Sequence, residues 1–174
     1  MKIYLTNLGR YNEGYLVGKW VKLPVCEEVL DKVLNEIGIN EYYEEYFITD
    51  YENDIVGIGD VISEYSSVQA LNELAQRLED LSDDEADKLG AVLEYEACRS
   101  VSDVLELLDK LDEFDLLTDV TDDEELGYYY AEEYCCIDIP EHIQPYFDYE
   151  KFGRDVRLQS CCLFTSYGFL LDNR

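Results

Sequence analysis

The side chains of this sequence that could do chemistry are mainly carboxylates, which are densest between residues 115 and 133. Paired carboxylates act as general acid and base in catalysis, and clustered carboxylates bind calcium. Neither pattern is specific in this chain, because its 41 acidic residues bring carboxylates together by chance. An EF-hand loop beginning at Asp119 would need glycine at its sixth position and glutamate at its twelfth. Those positions hold Glu124 and Tyr130, so the sequence predicts no such calcium site.

Other signatures of catalysis are missing from the sequence. The single histidine, His142, leaves most catalytic triads and histidine-based metal sites without their partners. The sequence has no P-loop, no G-x-G-x-x-G and no G-x-S-x-G motif. Its six cysteines include the vicinal pairs Cys135-Cys136 and Cys161-Cys162 but no C-x-x-C motif, which favours free, buried thiols in a reducing compartment. We therefore predict no enzyme, no cofactor and no metal site.

The acidic charge is concentrated in the middle of the chain. Residues 27–150 carry 38 of the acidic residues and five basic ones, a net charge of −33, whereas the residues before and after carry +3 and +2. The total of −28 repels nucleic acids and membrane surfaces. Disordered acidic chains are poor in apolar residues, whereas this chain is 47% hydrophobic and 13% aromatic. The composition therefore indicates a folded protein whose field could meet a basic partner.

The magnitude of the net charge suggests that the acidic residues form an extended row on the surface. B-form DNA carries one negative charge per about 1.7 Å of its axis, so a net charge of −28 corresponds to about 48 Å of duplex. A compact globule of 174 residues would have a diameter of only about 40 Å. An elongated chain of small modules would display such a row of charge more readily. On composition alone, a solvated acidic surface with another purpose remains an alternative.

The N-terminal third shows the patterns of a small antiparallel sheet with one helix. Alternating apolar residues predict strands over 2–8, 15–23 and 46–51, with a turn over 9–14 between the first two. Apolar residues at helical spacing follow Pro24, and Gly38 stands where a left-handed helix terminus is expected.

The remaining two thirds are mostly helical by pattern. Capping boxes at Ser66 and Ser82 predict two helices, and Ser100 is expected to cap a third helix reaching Leu111. A further helix is predicted from about residue 122 to 134, with strands over 156–158 and 161–164 and a final hairpin turn at Gly168. We predict an α+β fold, an elongated chain of small modules. These are an N-terminal α+β module (1–62), a central helical bundle (63–103) and a C-terminal α+β module (104–174).

No apolar run approaches the length needed to span a bilayer. The N-terminus turns polar too early for a secretory signal. We therefore expect a cytoplasmic protein without a membrane partner.

Four blocks of the sequence, in the same order, resemble the ArdA antirestriction proteins. The first is an opening block, the second covers the third predicted strand, the third is an acidic motif and the fourth is a C-terminal signature. They read Asn7-Leu-Gly-Arg-Tyr-Asn-Glu-Gly14 with Leu16-Val-Gly-Lys-Trp20 and Leu23-Pro24; Phe47-Ile-Thr-Asp-Tyr-Glu52; Leu116-Leu-Thr-Asp-Val-Thr-Asp-Asp-Glu-Glu-Leu-Gly-Tyr-Tyr-Tyr-Ala-Glu-Glu133; and Ile139-Pro-Glu-His-Ile-Gln-Pro-Tyr-Phe-Asp-Tyr-Glu-Lys-Phe-Gly-Arg-Asp155. Co-linear blocks reaching nearly from end to end are far more specific than one short motif.

The resemblance implies an elongated three-module homodimer that mimics bent B-form DNA. Such a protein would occupy the DNA groove of type I restriction–modification enzymes, at their methyltransferase core, and protect incoming DNA of mobile genetic elements. It would not bind nucleic acid directly. Dimerisation in the family is through the C-terminal module, which here would include Tyr128, Tyr129 and Tyr130.

We expect carboxylates of residues 103–133 and of the central helices to replace DNA phosphates. Helical spacing predicts Asp109, Asp112 and Glu113 on one exposed face, opposite Leu105 and its apolar neighbours. An alternative is an acidic protein that sequesters basic nucleoid or regulatory proteins, and a metal-dependent enzyme is a third possibility. The predicted partner-binding carboxylates are Asp109, Asp112, Glu113, Asp115, Asp119, Asp122, Asp123, Glu124, Glu125, Glu132 and Glu133.

Overall fold

A computed structural model of the protein describes residues 1–55, 57–134 and 137–174. It contains two small antiparallel sheets and several helices, which confirms the α+β class. Within the described residues, no helix combines the length and the apolar character that a membrane span requires. Backbone contacts divide the chain into two compact units: a first unit of Met1–Ala86 with Cys98–Leu108, and a second unit of Asp87–Ala97 with Asp109–Arg174. The three modules bounded at residues 62 and 103 stay a prediction.

The first unit contains a three-stranded antiparallel sheet with β1 in the middle. The strands are β1 (Lys2–Asn7), β2 (Gly18–Lys22) and β3 (Tyr46–Glu52). Ile3 and Leu5 of β1 are fully buried on one face of this sheet. Strands were therefore predicted in the right places, although β2 begins later than expected.

The predicted turn over residues 9–14 is confirmed only at its end, at Glu13 and Gly14, because a short helix, α1 (Leu8–Asn12), forms first. The side chain of Asn7 caps this helix by accepting a hydrogen bond from the Arg10 amide at 2.9 Å. The Tyr15 amide still donates to the Arg10 carbonyl at 2.9 Å. Residues up to Tyr15 therefore stay tied to α1, which explains why β2 begins only at Gly18.

Helices make up most of the rest of the first unit. Gly38 follows the first long helix with a φ of +83°, as predicted. The capping residue of the next helix is Ser67, whose hydroxyl accepts from the Ala70 amide. The prediction of Ser66 is wrong by one position, because the Ser66 hydroxyl instead accepts from the Ser63 amide. The long helices of this unit are α2 (Glu27–Glu36), α3 (Val68–Glu79) and α5 (Val101–Leu108), and α4 (Asp83–Tyr95) continues into the second unit.

Two other predicted caps are confirmed. Ser82 and Glu85 exchange hydrogen bonds at the start of α4, and Ser100 accepts from the Asp103 amide at the start of α5. However, α5 ends at Leu108 and does not reach Leu111 as predicted. A 3-10 turn, Leu111–Glu113, follows it.

The second unit is built around another three-stranded antiparallel sheet, in which β6 lies between β4 and β5. Phe114, Phe169 and Leu170 of this sheet are fully buried. The predicted hairpin at Gly168 is confirmed, with a φ of +129° at that residue. The strands are β4 (Phe114–Leu117), β5 (Cys162–Thr165) and β6 (Gly168–Asp172), and the helices are α6 (Asp123–Tyr128), a π-helical turn (Tyr129–Glu133), a 3-10 turn (Gln144–Tyr146) and α7 (Tyr149–Gln159).

The predicted strand over residues 156–158 is wrong, because these residues form the last turns of α7. Asp148 caps this helix by accepting from the Lys151 amide at 3.0 Å. Val156 is the eighth residue of this capped helix, and the helix outweighs the β-strand propensity of a single valine. Cys26, Cys161 and Cys162 are free thiols, as predicted, but the prediction that they are buried is wrong for Cys26 and Cys161, which are exposed. Cys135 and Cys136 lie outside the described residues.

Candidate functional site

The predicted carboxylates fall in residues 109–133 of the second unit, which we call the acidic segment. The segment contains eleven acidic residues and one basic residue, Lys110, a net charge of −10. Nine of the eleven predicted carboxylates are exposed, and the remaining two, Asp123 and Glu132, are half-buried. The structure therefore displays most of the predicted charge to solvent.

Asp109, Asp112 and Glu113 are exposed, but not on one helix face as predicted. The end of α5 at Leu108 places Asp109 beyond the helix, while Asp112 and Glu113 belong to the following 3-10 turn. Leu111 and Phe114 anchor this turn, since both are buried. Two buried side chains therefore fix the position of these exposed acids, in place of the continuous helix we predicted.

The start of α6 holds a second group of acids through reciprocal capping. Asp122 accepts a hydrogen bond from the Glu125 amide at 2.9 Å, and Glu125 accepts from the amide and the hydroxyl of Thr121 at 2.7 and 2.8 Å. Acidic side chains at a helix N-terminus also interact favourably with the helix dipole. The dense negative charge here is thus compatible with local structure.

The backbones of α6 and α7 touch at two glycines. A methyl group on Gly127 would overlap the carbonyl oxygen of Tyr149, and one on Gly153 would overlap the carbonyl oxygen of Asp123. Both glycines are buried. Only glycine permits so close an approach of two helices, so α7 forms a rigid support behind the acidic helix α6.

An ion pair reinforces this support. Arg157 of α7 donates from Nε to Asp123 Oδ1 at 2.7 Å and from Nη2 to Asp123 Oδ2 at 3.0 Å. This bidentate geometry is the strongest that an arginine and a carboxylate can adopt. Hydrogen bonding to Arg157 lowers the pKa of Asp123, and the same bond raises the pKa of Arg157. The charge of Asp123 is therefore balanced within the unit, and its carboxylate positions α6.

Glu132 is also engaged within the unit. It accepts from the Tyr149 hydroxyl at 2.6 Å and from the Gln144 side-chain amide at 3.3 Å. The bond to Glu132 raises the pKa of Tyr149 to about 12. Glu132 thereby links the π-helical turn to the start of α7.

The three consecutive tyrosines have different environments. Tyr128 is 52% exposed, and its ring lies 5.6 Å from the ring of Tyr149. Tyr129 and Tyr130 are half-buried and pack against a core that includes Leu126 and Phe169. Tyr129 and Tyr130 therefore have a structural role already, and Tyr128 offers the exposed ring.

The acidic segment lines a surface concavity with a volume of about 630 Å³. Asp119, Asp122, Glu124 and Glu125 line it together with the ring of Tyr128. The residues described by the structure contain no cluster of three or more histidine, cysteine or acidic side chains that could hold a metal ion. The carboxylates that line this concavity are suited to binding cationic side chains.

The sequence from residue 3 to residue 171 matches the family model described as antirestriction protein (ArdA). The chain belongs to the ArdA family. Family membership implies an antirestriction function through interaction with restriction enzymes, and the family is one of inhibitor proteins. A search of curated proteins found no match.

Within this ArdA-family chain, the sequence identified the acids but missed what holds them. Gly127, Gly153 and Arg157 were not predicted as part of the site. The available signal was the capping aspartate Asp148, followed by Phe152 and Val156 at helical spacing. Recognising α7 from this pattern would have placed Arg157 on a helix instead of in a strand.

Proposed function

We propose that this protein mimics B-form DNA with its surface carboxylates and competitively occupies the DNA-binding channel of type I restriction–modification enzymes, at the methyltransferase core. The observation that carries this proposal is the acidic segment with its nine exposed carboxylates, of which those on α6 are supported by α7. Family membership supplies the antirestriction function, and the displayed charge supports the mechanism.

The charge of the acidic segment is comparable with that of a short duplex. A net charge of −10 corresponds to about 17 Å of B-form DNA, and the whole chain to about 48 Å. Carboxylates provide negative charge and hydrogen-bond acceptors without a base sequence, as phosphates do. An enzyme channel that binds the DNA backbone through lysine and arginine would therefore accept such a surface whatever its target sequence.

The proposal includes a homodimer formed through the second unit, with Tyr128, Tyr129 and Tyr130 at the interface. The exposed ring of Tyr128 supports this placement, because aromatic residues are enriched in interfaces and a two-fold axis would pair the same surface from both copies. A dimer would double the length of the charge row. The site of action would be the cytoplasm, where incoming mobile DNA meets restriction enzymes.

The test is a competition assay on a type I methyltransferase carrying fluorescently labelled target DNA. We expect the protein to displace the DNA, with a steep loss of inhibition as salt is raised, because both partners release counterions on contact. Unchanged DNA binding in the presence of excess protein at low salt would refute the proposal. Recovery of a histone-like protein, and no restriction complex, from a bacterial lysate would instead support the sequestering alternative.

A matched pair of triple variants locates the mimic surface. Asp119→Asn with Glu113→Gln and Glu124→Gln removes three charges from the acidic segment. Asp155→Asn with Glu141→Gln and Glu150→Gln removes three exposed charges of the same types from elsewhere in the second unit. We expect the first triple variant to weaken inhibition only partly, because the charge is distributed over many carboxylates, but more strongly than the second triple variant does. Equal effects would mean that the acidic segment has no special role.

A further inference from the structure

The sheet of the first unit carries an aromatic pair on the face opposite its buried residues. Ile3 and Leu5 are buried, so the side chain between them, Tyr4, points to the other face. Tyr4 is directly paired with Trp20 of β2, and their rings meet edge to face at 5.3 Å. Trp20 is 39% exposed. This pair therefore presents aromatic surface to solvent.

A second aromatic pair stands beside the first. Tyr11 of α1 meets Phe47 of β3 edge to face, with ring centres 5.1 Å apart. Tyr11 is exposed, and so is Leu16, which lines the same concavity as both ring pairs. The concavity has a volume of about 590 Å³ and lies wholly within the first unit. The two edge-to-face ring pairs thus line the same pocket.

Two carboxylates complete the lining of this pocket. Asp50 of β3 is paired in register with Tyr4, and Glu64 is brought beside β3 by a hydrogen bond from the Ile48 amide to the Glu64 carbonyl at 2.8 Å. Both residues are exposed. The described residues that line the pocket include no lysine or arginine. We call the site formed by Tyr4, Tyr11, Trp20, Asp50 and Glu64 the aromatic–acid pocket.

We propose that the aromatic–acid pocket binds an arginine side chain of the partner protein. Aromatic faces attract cations within about 6 Å, tryptophan most strongly, and the planar guanidinium group stacks on rings better than an ammonium group does. The two carboxylates add charge and hydrogen-bond acceptors on the same side. Charge complementarity selects this occupant, because an apolar segment would leave both carboxylates without a cationic partner.

This inference rests on the proposed function and adds a specific contact to it. A DNA-binding channel offers many arginines, and the acidic segment attracts them through charge alone. The aromatic–acid pocket would hold one of them by shape as well. The pocket belongs to the first unit, whereas the acidic segment belongs to the second.

Trp20 provides a direct reporter, because it is the single tryptophan of the chain. We would titrate the full-length protein with an acetylated and amidated tetra-arginine peptide, and in parallel with tetra-lysine, while exciting tryptophan selectively. We expect a saturable change in Trp20 fluorescence, with tighter binding of the arginine peptide. Binding elsewhere on the acidic surface would not change this signal. No change in Trp20 fluorescence with either peptide would overturn the proposal.

Two double variants separate the pocket from general charge. Asp50→Asn with Glu64→Gln should weaken the arginine binding seen at Trp20 by about fivefold, as expected for the loss of two exposed ion pairs. Asp31→Asn with Glu41→Gln removes the same charges from exposed positions of the first unit outside the pocket and should change it little. Equal weakening by both doubles would reduce the binding to non-specific attraction and overturn the proposal.

The methyltransferase competition assay gives an independent readout. Trp20→Leu keeps an apolar side chain on β2 but removes the aromatic face, and we expect it to raise the protein concentration needed to displace DNA by about threefold to 30-fold. Circular dichroism checks its folding, and the Asp50–Glu64 double variant decides if the leucine variant does not fold. A Trp20 signal that depends on protein concentration without peptide would assign the pocket to a second copy and contradict the proposal.

The outcomes distinguish this inference from the proposed function. Peptide binding at Trp20 in a protein that never displaces DNA would refute the DNA mimic and leave the pocket intact. DNA displacement that is equally strong in the pocket variants and in the control double would refute the pocket and leave the mimic intact.

Discussion

The two units use their basic residues differently. In the first unit, Lys19 pairs with Glu36 at the surface, where both side chains are about half exposed. In the second unit, Arg157 pairs with Asp123. The side chain of Arg157 is 33% exposed and that of Asp123 is 21% exposed. Ion pairs at the surface contribute little to stability, whereas a half-buried bidentate pair fixes the position of its partners. The second unit therefore uses Arg157 to hold Asp123 and the start of α6 in place, while most of the charge of the acidic segment remains exposed.

The largest effect should follow from disturbing the contact between α6 and α7. Gly153→Ala places a methyl group against the Asp123 carbonyl, and overpacking of this kind costs about 1–3 kcal/mol or more. We expect thermal unfolding at a temperature lower by roughly 2–4 °C per kcal/mol, with a parallel loss of inhibition. Gln159→Ala, an exposed change on the same helix, is the control. An unchanged melting temperature for Gly153→Ala would show that the two helices do not need this contact.

The next effect should come from the ion pair itself. Arg157→Gln leaves the half-buried Asp123 carboxylate without its bidentate partner, and we expect a loss of about 1 kcal/mol in the free energy of unfolding. Arg157→Lys should recover only part of it, since an ammonium group cannot make both bonds in the same plane. Chemical denaturation of these variants and of Asp123→Asn, combined as a double-mutant cycle, measures the coupling. Additive effects would mean that the pair does not stabilise the unit.

A third prediction concerns pH. Arg174 hydrogen-bonds Asp172 at 2.7 Å and holds the pKa of that carboxyl at about 2. An unfolded aspartate has a pKa of about 3.9. The pair therefore stabilises the folded state fully above that pH, and this stabilisation is lost as the pH falls through about 2. Asp172→Asn should therefore lower the melting temperature at neutral pH, and the difference from the unmodified protein should disappear towards pH 2. A constant difference over this range would contradict the assigned pairing.

The smallest effect should come from the surface pair of the first unit. Lys19→Met removes the partner of Glu36, and we expect a change of about 0.5 kcal/mol or less in the free energy of unfolding. A loss as large as that of Arg157→Gln, measured in the same denaturation assay, would remove the contrast between the units.

Features determined by neighbouring residues were predictable from the sequence. The cap formed by Ser82 and Glu85 and the left-handed Gly38 depend on a few consecutive residues, and both were predicted correctly. The carboxylates of the acidic segment were also visible, because charge is a property of composition. The family resemblance, carried by long co-linear blocks, is confirmed by the match over residues 3–171.

Features that depend on distant residues were not predictable in this way. The contact of Gly127 with Tyr149 at the start of α7 joins residues more than 20 positions apart. Nothing in the neighbouring sequence distinguishes Gly127 or Gly153 from a glycine in a turn. The α7 helix was missed because Val156 with its neighbours favours a strand over three residues, whereas the helix depends on the cap at Asp148, eight residues earlier. The support of the acidic segment is thus a property of the folded unit.

The most direct test of DNA mimicry is whether this protein and DNA exclude each other from the enzyme. A type I methyltransferase is mixed with labelled target DNA and with excess protein at low salt, and its complexes are separated by size-exclusion chromatography. We predict complexes that contain either DNA or this protein, with the DNA released as the protein is added. A ternary complex holding both would contradict mimicry, because two ligands of the same channel cannot be bound together.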